Sequence, residues 1–216
     1  MRAVTTPTEA PGDSLLATKT SLGQLVRTGV LMTVVLTLLV GVIYPFAMTG
    51  LSQVFFNDQA NGSLIKVNGQ VVGSSLIGQN FTKPRYFHPR LSAAGTGYDA
   101  SNSGGTNLGP TSATLVKNTI AQANAIRKED GLPPNFVLPA DAVSTSASGL
   151  DPNISPAYAD LQVPRVARVR GLSQDQVRKL VKQYTSSRDL GVLGEPRVNV
   201  LELNLALDRI RGKVSP

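Results

Sequence analysis

The chain has 216 residues and a formal net charge of +7, from 21 Lys and Arg residues against 14 Asp and Glu residues. It contains no Cys and one His, which excludes disulfides, thiolate catalysis, Cys-based metal sites and multi-histidine metal sites. We therefore expect no bound metal. The basic residues are scattered, without a dense run or interleaved aromatic residues, so we expect no nucleic-acid partner.

One stretch of the chain is uniformly apolar. Residues 28–47 number twenty and contain no charged or amide side chain. As a helix they cover about 30 Å, the thickness of the hydrocarbon core of a bilayer. We therefore predict a disordered leader at residues 1–24, one transmembrane helix at residues 25–49 and one soluble domain at residues 50–216. A buried core helix is the alternative, but a helix that is apolar on all faces needs a large core around it.

The charges that flank the apolar segment predict its orientation. Lys19 and Arg27 precede the segment, and the next positive charge is Lys66. The positive-inside rule therefore places the N-terminus in the cytoplasm and the domain outside. A cleaved signal peptide is the alternative, but its apolar region is roughly 7–15 residues long and its polar leader is short. We expect a retained, single-pass anchor.

The remainder of the chain predicts one mixed α/β domain, and hence an α+β fold class. Asn68-Gly69 between two β-prone runs, residues 63–67 and 70–77, predicts a hairpin. Residues 81–110 are rich in Gly and Pro and predict a long loop, either partner-facing or simply exposed. Capping and stop signals predict four helices: Thr111 to Asp130, Pro156 to Arg170, Gln174 to Tyr184, and one that opens at Asn199. The expected caps are Thr111, Ser155, Ser173 and Asn199. Each of two helices is expected to have one apolar face, formed by Leu115, Ile120, Ala123 and Ile126 in the first and by Leu201, Leu205 and Ile210 in the last.

The residue patterns typical of enzymes are missing. His88 is the sole candidate for Ser-His-Asp catalysis and no Gly-x-Ser-x-Gly elbow accompanies it, so we interpret His88 as a structural or surface residue. The phosphate loop Gly-x-x-x-x-Gly-Lys-Ser/Thr does not occur. The Gly-rich run 103–107 and the hydroxyl-rich run 144–149 are interpreted as a turn and a place of close chain packing. These observations favour a membrane-anchored, non-enzymatic accessory domain.

Two sets of residues are candidates for binding. Gln162, Arg165 and Arg168 lie at positions i, i+3 and i+6 of a predicted helix and share part of one face. That face is suited to phosphates or to a partner rich in carboxylates, with a solvated basic helix as the alternative. Small residues in the apolar segment predict a contact with another membrane helix. These residues are Gly29, Thr33 and Thr37.

Several strings resemble the C subunit of the Kdp potassium-transporting ATPase. They occur in the family's order over about residues 25–210: Tyr44-Pro45, GSSLIGQ at 73–79, SGGTNLG at 103–109, SASGLDP at 146–152, RVAR at 165–168 and GEPRVNVLELN at 194–204. The chain departs from the family at Leu91, where proline is usual, and at Asn153, where histidine is frequent.

The resemblance implies a subunit of a bacterial inner-membrane, high-affinity, ATP-driven potassium importer. Its partners would be a channel-like subunit that carries the ions and a P-type subunit that hydrolyses ATP. The C subunit of this family is described as a catalytic chaperone that raises the affinity of the pump for ATP through a transient ternary complex. ATP is the implied ligand, and Gln162 best matches the family's nucleotide contact.

This implication conflicts with the topology, because a domain outside the cell cannot contact cytoplasmic ATP. We keep the topology and hypothesise that the outer domain packs beside the entrance of the channel-like subunit and stabilises the complex. A free-standing, membrane-anchored hydrolase is one alternative. A tethered binding module for envelope polymers is another, although a chain with no Trp and five Tyr has few aromatic residues for that role.

Overall fold

The computed structural model describes residues 21–211. They form two compact units, divided between Ala60 and Asn61. The first is helical and the second combines helices with short antiparallel strands, which confirms the α+β class. Residues 1–20 of the predicted leader lie outside the described residues, whereas residues 22–24 belong to the first helix and not to a leader.

The first unit contains one long helix built from consecutive parts. These are α1 (Leu22–Leu38), a π-helical turn (Leu39–Ile43) and α2 (Tyr44–Phe55), and the short α3 (Asn57–Ala60) follows. Ser21 and Gln24 form a capping box at its start. The 34 residues of this helix are enough to cross a membrane, and the helix extends beyond both ends of the span predicted from hydropathy. The helix is longer than the apolar run because backbone hydrogen bonds and the cap at its start, and not hydropathy, set where it begins and ends.

The predicted hairpin opens the second unit. Strands β1 (Leu64–Val67) and β2 (Gln70–Ser74) pair antiparallel, with a bulge between Ile65 and Lys66. Asn68 and Gly69 have φ values of 51° and 80°, the left-handed conformation that a two-residue type I′ turn requires. The hairpin prediction is confirmed, although β2 ends before residue 77.

Residues 81–110 contain neither a helix nor a strand, as predicted. This loop is nevertheless fastened to the segment around residues 145–149. The Ser92 hydroxyl donates to the Gly149 carbonyl at 2.6 Å, and Leu91 forms a single parallel bridge with Thr145. The long loop is therefore part of the packed domain.

The described part of the second unit contains five helices, and four of them follow the local signals closely. The five helices are α4 (Ala113–Asp130), α5 (Ala140–Val143), α6 (Pro156–Arg170), α7 (Gln174–Gln183) and α8 (Val200–Arg211). Ser155, Ser173 and Asn199 cap α6, α7 and α8 as predicted. The cap of α4 was predicted wrongly, because Ser112 and not Thr111 accepts the hydrogen bond from the helix start. Helix α5 was not predicted.

A small sheet lies beside these helices. Strands β3 (Asn153–Ile154), β4 (Thr185–Ser186) and β5 (Arg197–Asn199) form an antiparallel sheet in the order β3-β5-β4. The middle strand pairs on both sides through Val198, which is fully buried. Because β5 runs directly into α8, the sheet sets where the last helix starts.

The core of the second unit is built around α6. The buried side chains come mainly from α6, α7, α8 and the long loop: Phe87, Val163, Val166, Val177, Val181, Leu203 and Leu207. Burying each such side chain contributes about 1.5–3 kcal/mol to stability. Two predicted apolar faces were partly wrong. Ile120 of α4 is 56% exposed, and α8 turns Leu203 and Leu207 to the core in place of Leu205 and Ile210.

Candidate functional site

A buried polar network lies where α6 passes the end of α4 and the long loop. Gln162 and Arg165 of α6 are at its centre and are 0% and 1% exposed. Beside the network lies an open cavity of about 400 Å³. Its polar lining includes His88, Arg90, Tyr98, Glu129, Asp130 and Tyr158. Several titratable side chains therefore meet at this place in the described domain.

The amide of Gln162 is occupied by groups of the chain itself. Its Oε1 accepts from the backbone N–H of His88 at 2.7 Å and from Nη2 of Arg165 at 2.6 Å. Its Nε2 donates to the carbonyl of His88 at 3.2 Å and is 3.4 Å from that of Tyr158. The residue that the resemblance implies as the nucleotide contact therefore fixes the long loop to α6.

Arg165 connects three segments. Its Nε donates to Oδ1 of Asp130 at 2.8 Å, and its Nη1 donates to the carbonyls of Pro84 and Tyr86 at 2.6 and 2.9 Å. A planar guanidinium suits such a node because its donors point in fixed, separate directions. Arg165 thereby holds the long loop and the end of α4 to α6.

The three polar residues of α6 do not share an exposed face. Gln162 and Arg165 are buried, whereas Arg168 is exposed. The spacing i, i+3, i+6 turns the helix far enough to separate the last residue from the first two. The interpretation of a single basic surface was wrong, and Arg168 alone is available to a partner.

Asp130 is the counter-charge that sequence reasoning missed. It lies in the last turn of α4, where the helix dipole disfavours a negative charge, and the preceding residue is Glu129. The sequence pattern that indicates such a residue is the pair of acids, Glu129 and Asp130, at a helix C-terminus. Burial, more than any other factor, raises the pKa of Asp130, and the Arg165 guanidinium opposes that rise.

His88 bridges the long loop and α4. Its Nδ1 lies 2.6 Å from the carbonyl of Phe81 and its Nε2 lies 2.9 Å from Oε1 of Glu129. The ring thus connects the backbone of the long loop to a carboxylate near the end of α4. The interpretation of His88 as a structural residue agrees with these contacts.

A second charged cluster lies on the other side of the long loop. Asp208 of α8 accepts from Arg85, from the Tyr86 hydroxyl and from Arg170 at 2.9–3.1 Å. Both guanidinium groups also stand over the Tyr86 ring, at 4.9 and 5.0 Å from its centroid. No local sequence pattern indicates this cluster, since its members are up to 123 residues apart.

The hydroxyl-rich run 144–149 packs closely against neighbouring chain, as interpreted. An added Cβ at Gly149 would lie 2.7 Å from Cβ of Ala94, and one at Gly105 would lie 2.8 Å from the carbonyl oxygen of Ala147. Arg90 reinforces the contact by donating to Asp151 and to the carbonyl of Thr145. The Gly-rich run 103–107 is likewise taken up in packing.

The membrane-helix candidates are all on the helix surface. Gly29, Thr33 and Thr37 are exposed. The hydroxyl of Thr33 donates to the carbonyl of Gly29 at 2.8 Å within the same helix. Within residues 21–211, no three His, Asp or Glu side chains are grouped so as to hold a metal ion.

Comparison with known proteins shows the family to which the chain belongs. The family model described as "K+-transporting ATPase, c chain" matches residues 26–209. A potassium-transporting ATPase KdpC subunit from Koribacter versatilis is 57% identical over 189 residues, which cover 88% of this chain and 96% of that protein. The KdpC subunit from Mycobacterium tuberculosis is 54% identical, with 83% and 95% covered, and that from Rhodospirillum rubrum is 57% identical, with 80% and 89% covered. The chain therefore belongs to the KdpC family.

Proposed function

We propose that the chain is a non-catalytic, accessory subunit of a potassium-transporting ATPase in a bacterial inner membrane, and that it stabilises the complex. The observation that carries this proposal is the helix Leu22–Phe55. It is long and apolar enough to span a bilayer, and none of its residues is buried. An apolar surface of this extent needs lipid or other membrane helices around it. Membership of the KdpC family indicates that the complex is a potassium-transporting ATPase.

The proposed partners are a channel-like subunit that carries potassium and a P-type subunit that hydrolyses ATP. With Lys19 and Arg27 on the cytoplasmic side, the second unit lies outside the cell, beside the entrance of the channel-like subunit. Arg165 packs the long loop into this unit, which suits the unit to holding a fixed position there. The exposed Arg168 is available for a contact with a carboxylate of a partner.

We further propose that the subunit raises the ATP affinity of the pump as a catalytic chaperone, and that this effect is indirect. The amide of Gln162 is buried and bonded to His88 and Arg165, which supports a route through subunit contacts. Direct contact between Gln162 and ATP is the alternative, and it requires the amide to leave both partners. The two routes differ in whether the isolated chain binds ATP.

Co-purification in a mild detergent tests the main proposal. The chain, carrying an affinity tag, is produced with the other gene products of its complex, and the recovered proteins are quantified. We expect large membrane subunits to be recovered in a fixed ratio, and the pump to need more ATP for half-maximal activity when this chain is omitted. Recovery of the chain alone, together with hydrolase activity of that isolated chain, would refute the accessory role.

A further inference from the structure

The long helix of the first unit is interrupted by the π-helical turn Leu39–Ile43. This turn ends immediately before Tyr44-Pro45. A π turn inside an α-helix is rare and frequently coincides with a functional site. Proline inside a helix removes one backbone donor, so a carbonyl in the preceding turn loses its partner unless another donor replaces it.

The carbonyl of Val40 is left without its regular helical donor. The backbone N–H of Tyr44 donates to the carbonyl of Leu39 and not to that of Val40, its usual α-helical acceptor. In the π pattern the donor to Val40 would be the next residue, but Pro45 has no N–H. Both regular helical donors to the Val40 carbonyl are therefore lost.

The side chains one turn later do not replace the missing donor. A hydroxyl that bonds backward in a helix reaches the carbonyl three or four residues earlier, as Thr33 does toward Gly29. For Val40 these positions hold Ile43 and Tyr44, neither of which has a donor within such reach. The carbonyl thus depends on something outside its own helix.

Water does not supply that donor if the helix spans a bilayer. No charged residue lies between Arg27 and Asp58, and Val40 is about 18 Å along the helix from Thr28 and about 24 Å from Phe56. Such a position is well inside the hydrocarbon region, where an unsatisfied backbone carbonyl is costly. Acyl chains have no hydrogen-bond donors, so lipid cannot relieve this cost.

The helix surface beside this carbonyl is open. Gly41 is the next residue, and a Cβ added to it would meet only Cγ2 of Thr37, at an ordinary contact distance of 3.8 Å. A neighbouring helix can therefore approach the backbone closely at Gly41. The chain itself does not require a glycine at this position, since the added atom would fit.

We propose that the Val40 carbonyl accepts a hydrogen bond from a donor side chain on a membrane helix of another subunit, which packs against this helix at Gly41. The donor is a Ser, Thr, Asn, Gln or a similar side chain of a helix otherwise suited to lipid. This inference rests on the proposed function, because it needs a membrane-spanning helix within a complex. It places the contact one turn beyond Thr37, the last residue of the contact expected from sequence.

Two substitutions and one control test the proposal in the full chain, by co-purification in mild detergent. Gly41→Ile covers the carbonyl, and Pro45→Ala restores an N–H that satisfies it within the helix. We expect each to lower the recovery of the other membrane subunits about three- to thirtyfold, the range measured for single hydrogen bonds between membrane helices. Gly50→Ile, at a position with no neighbouring atom within 4 Å, should leave recovery unchanged.

The outcomes separate this inference from the function on which it rests. If the unaltered chain recovers no partner subunits, the accessory role itself fails. If the unaltered chain recovers them and either Gly41→Ile or Pro45→Ala recovers them equally well, the proposed contact is wrong. Equal losses for Gly41→Ile and Gly50→Ile would also overturn it, because bulk anywhere on the helix would then explain the effect. The melting temperature of the second unit, measured for each variant, shows that its fold is intact.

Discussion

At the scale of single residues, the centre of the domain is held by polar side chains. Gln162, Arg165 and Asp130 fix two backbone segments to α6, and each bond is made away from bulk water. A buried hydrogen bond contributes little net stability when complete, but removing one partner leaves the other group unsatisfied. We therefore expect substitution of these residues to lower the stability of the domain, independently of any effect on a ligand.

Gln162→Ala should destabilise the domain. The substitution leaves the N–H of His88 and one Nη of Arg165 without their acceptor, which costs about 2 kcal/mol. For a domain of this size we expect a fall in melting temperature of about 4–8 °C. Gln183→Ala, in an exposed position at the end of α7, is the matched control and should change it by less than about 2 °C.

The same variant tests direct nucleotide contact. Below its melting temperature, Gln162→Ala should still lower the ATP requirement of the pump if the effect is indirect. Normal assembly and stability with complete loss of the effect on ATP would favour contact by the amide itself.

Two tyrosines make stability depend on alkaline pH. Burial raises the pKa of Tyr98 and of Tyr158 far above 10, with the Asp151 and Asp130 carboxylates adding to the effect. Because the folded pKa exceeds the unfolded value of about 10, their contribution is fully present below pH 10 and is lost as the pH rises above it. The free energy of unfolding should therefore fall steeply above about pH 10.

This dependence is measurable through tyrosinate absorbance, since the chain has no Trp and five Tyr. We expect part of that absorbance to appear together with unfolding and not before it. Tyr158→Phe and Tyr98→Phe should each make the alkaline loss of stability shallower. Identical slopes for all three proteins would contradict the assignment.

At the scale of elements, the helix caps differ in how deeply they are tied into the domain. Ser155 caps α6 by accepting from the N–H of Tyr158 at 3.0 Å, and its hydroxyl donates to Asp141 at 2.9 Å. Ser173 caps the exposed start of α7 through a local capping box alone. The Ser155 cap therefore connects α6 to α5, whereas the Ser173 cap stabilises α7 alone.

Ser155→Ala should consequently cost more than Ser173→Ala. We expect about 2 kcal/mol for the first and about 1 kcal/mol for the second, read from chemical denaturation of the domain. Equal losses would mean that the bond to Asp141 contributes nothing beyond the cap itself.

At the scale of the whole molecule, the side of the membrane decides which ligands are within reach. The flanking charges Lys19 and Arg27 predict that the second unit lies outside the cell. Protease added to intact spheroplasts should therefore digest residues 61–216 and leave a fragment that contains the helix. A cytoplasmic protein that stays intact is the control, and protection of the domain until lysis would reverse the topology.

Much of the fold was predictable from short stretches of sequence, because the interactions concerned are local. The apolar run, the Asn68-Gly69 turn and the Ser155 and Ser173 caps each involve residues a few positions apart. Backbone sterics and hydropathy act at that range without reference to the rest of the chain. Family membership followed from equally short strings in a fixed order, and the comparisons confirmed it.

Only the tertiary structure decided which side of each element faces inward. Gln162 pairs with a residue 74 positions away and Arg165 with one 35 positions away, so their burial has no local signal. Ile120 was expected inside and lies outside for the same reason. The Val40 carbonyl loses its regular helical donors where a π turn meets Pro45, a coincidence of backbone geometry that hydropathy does not encode. Sequence by itself determined the long apolar helix, most of the element boundaries and the family, whereas long-range packing decided the polar centre, since burial depends on contacts between distant parts of the chain.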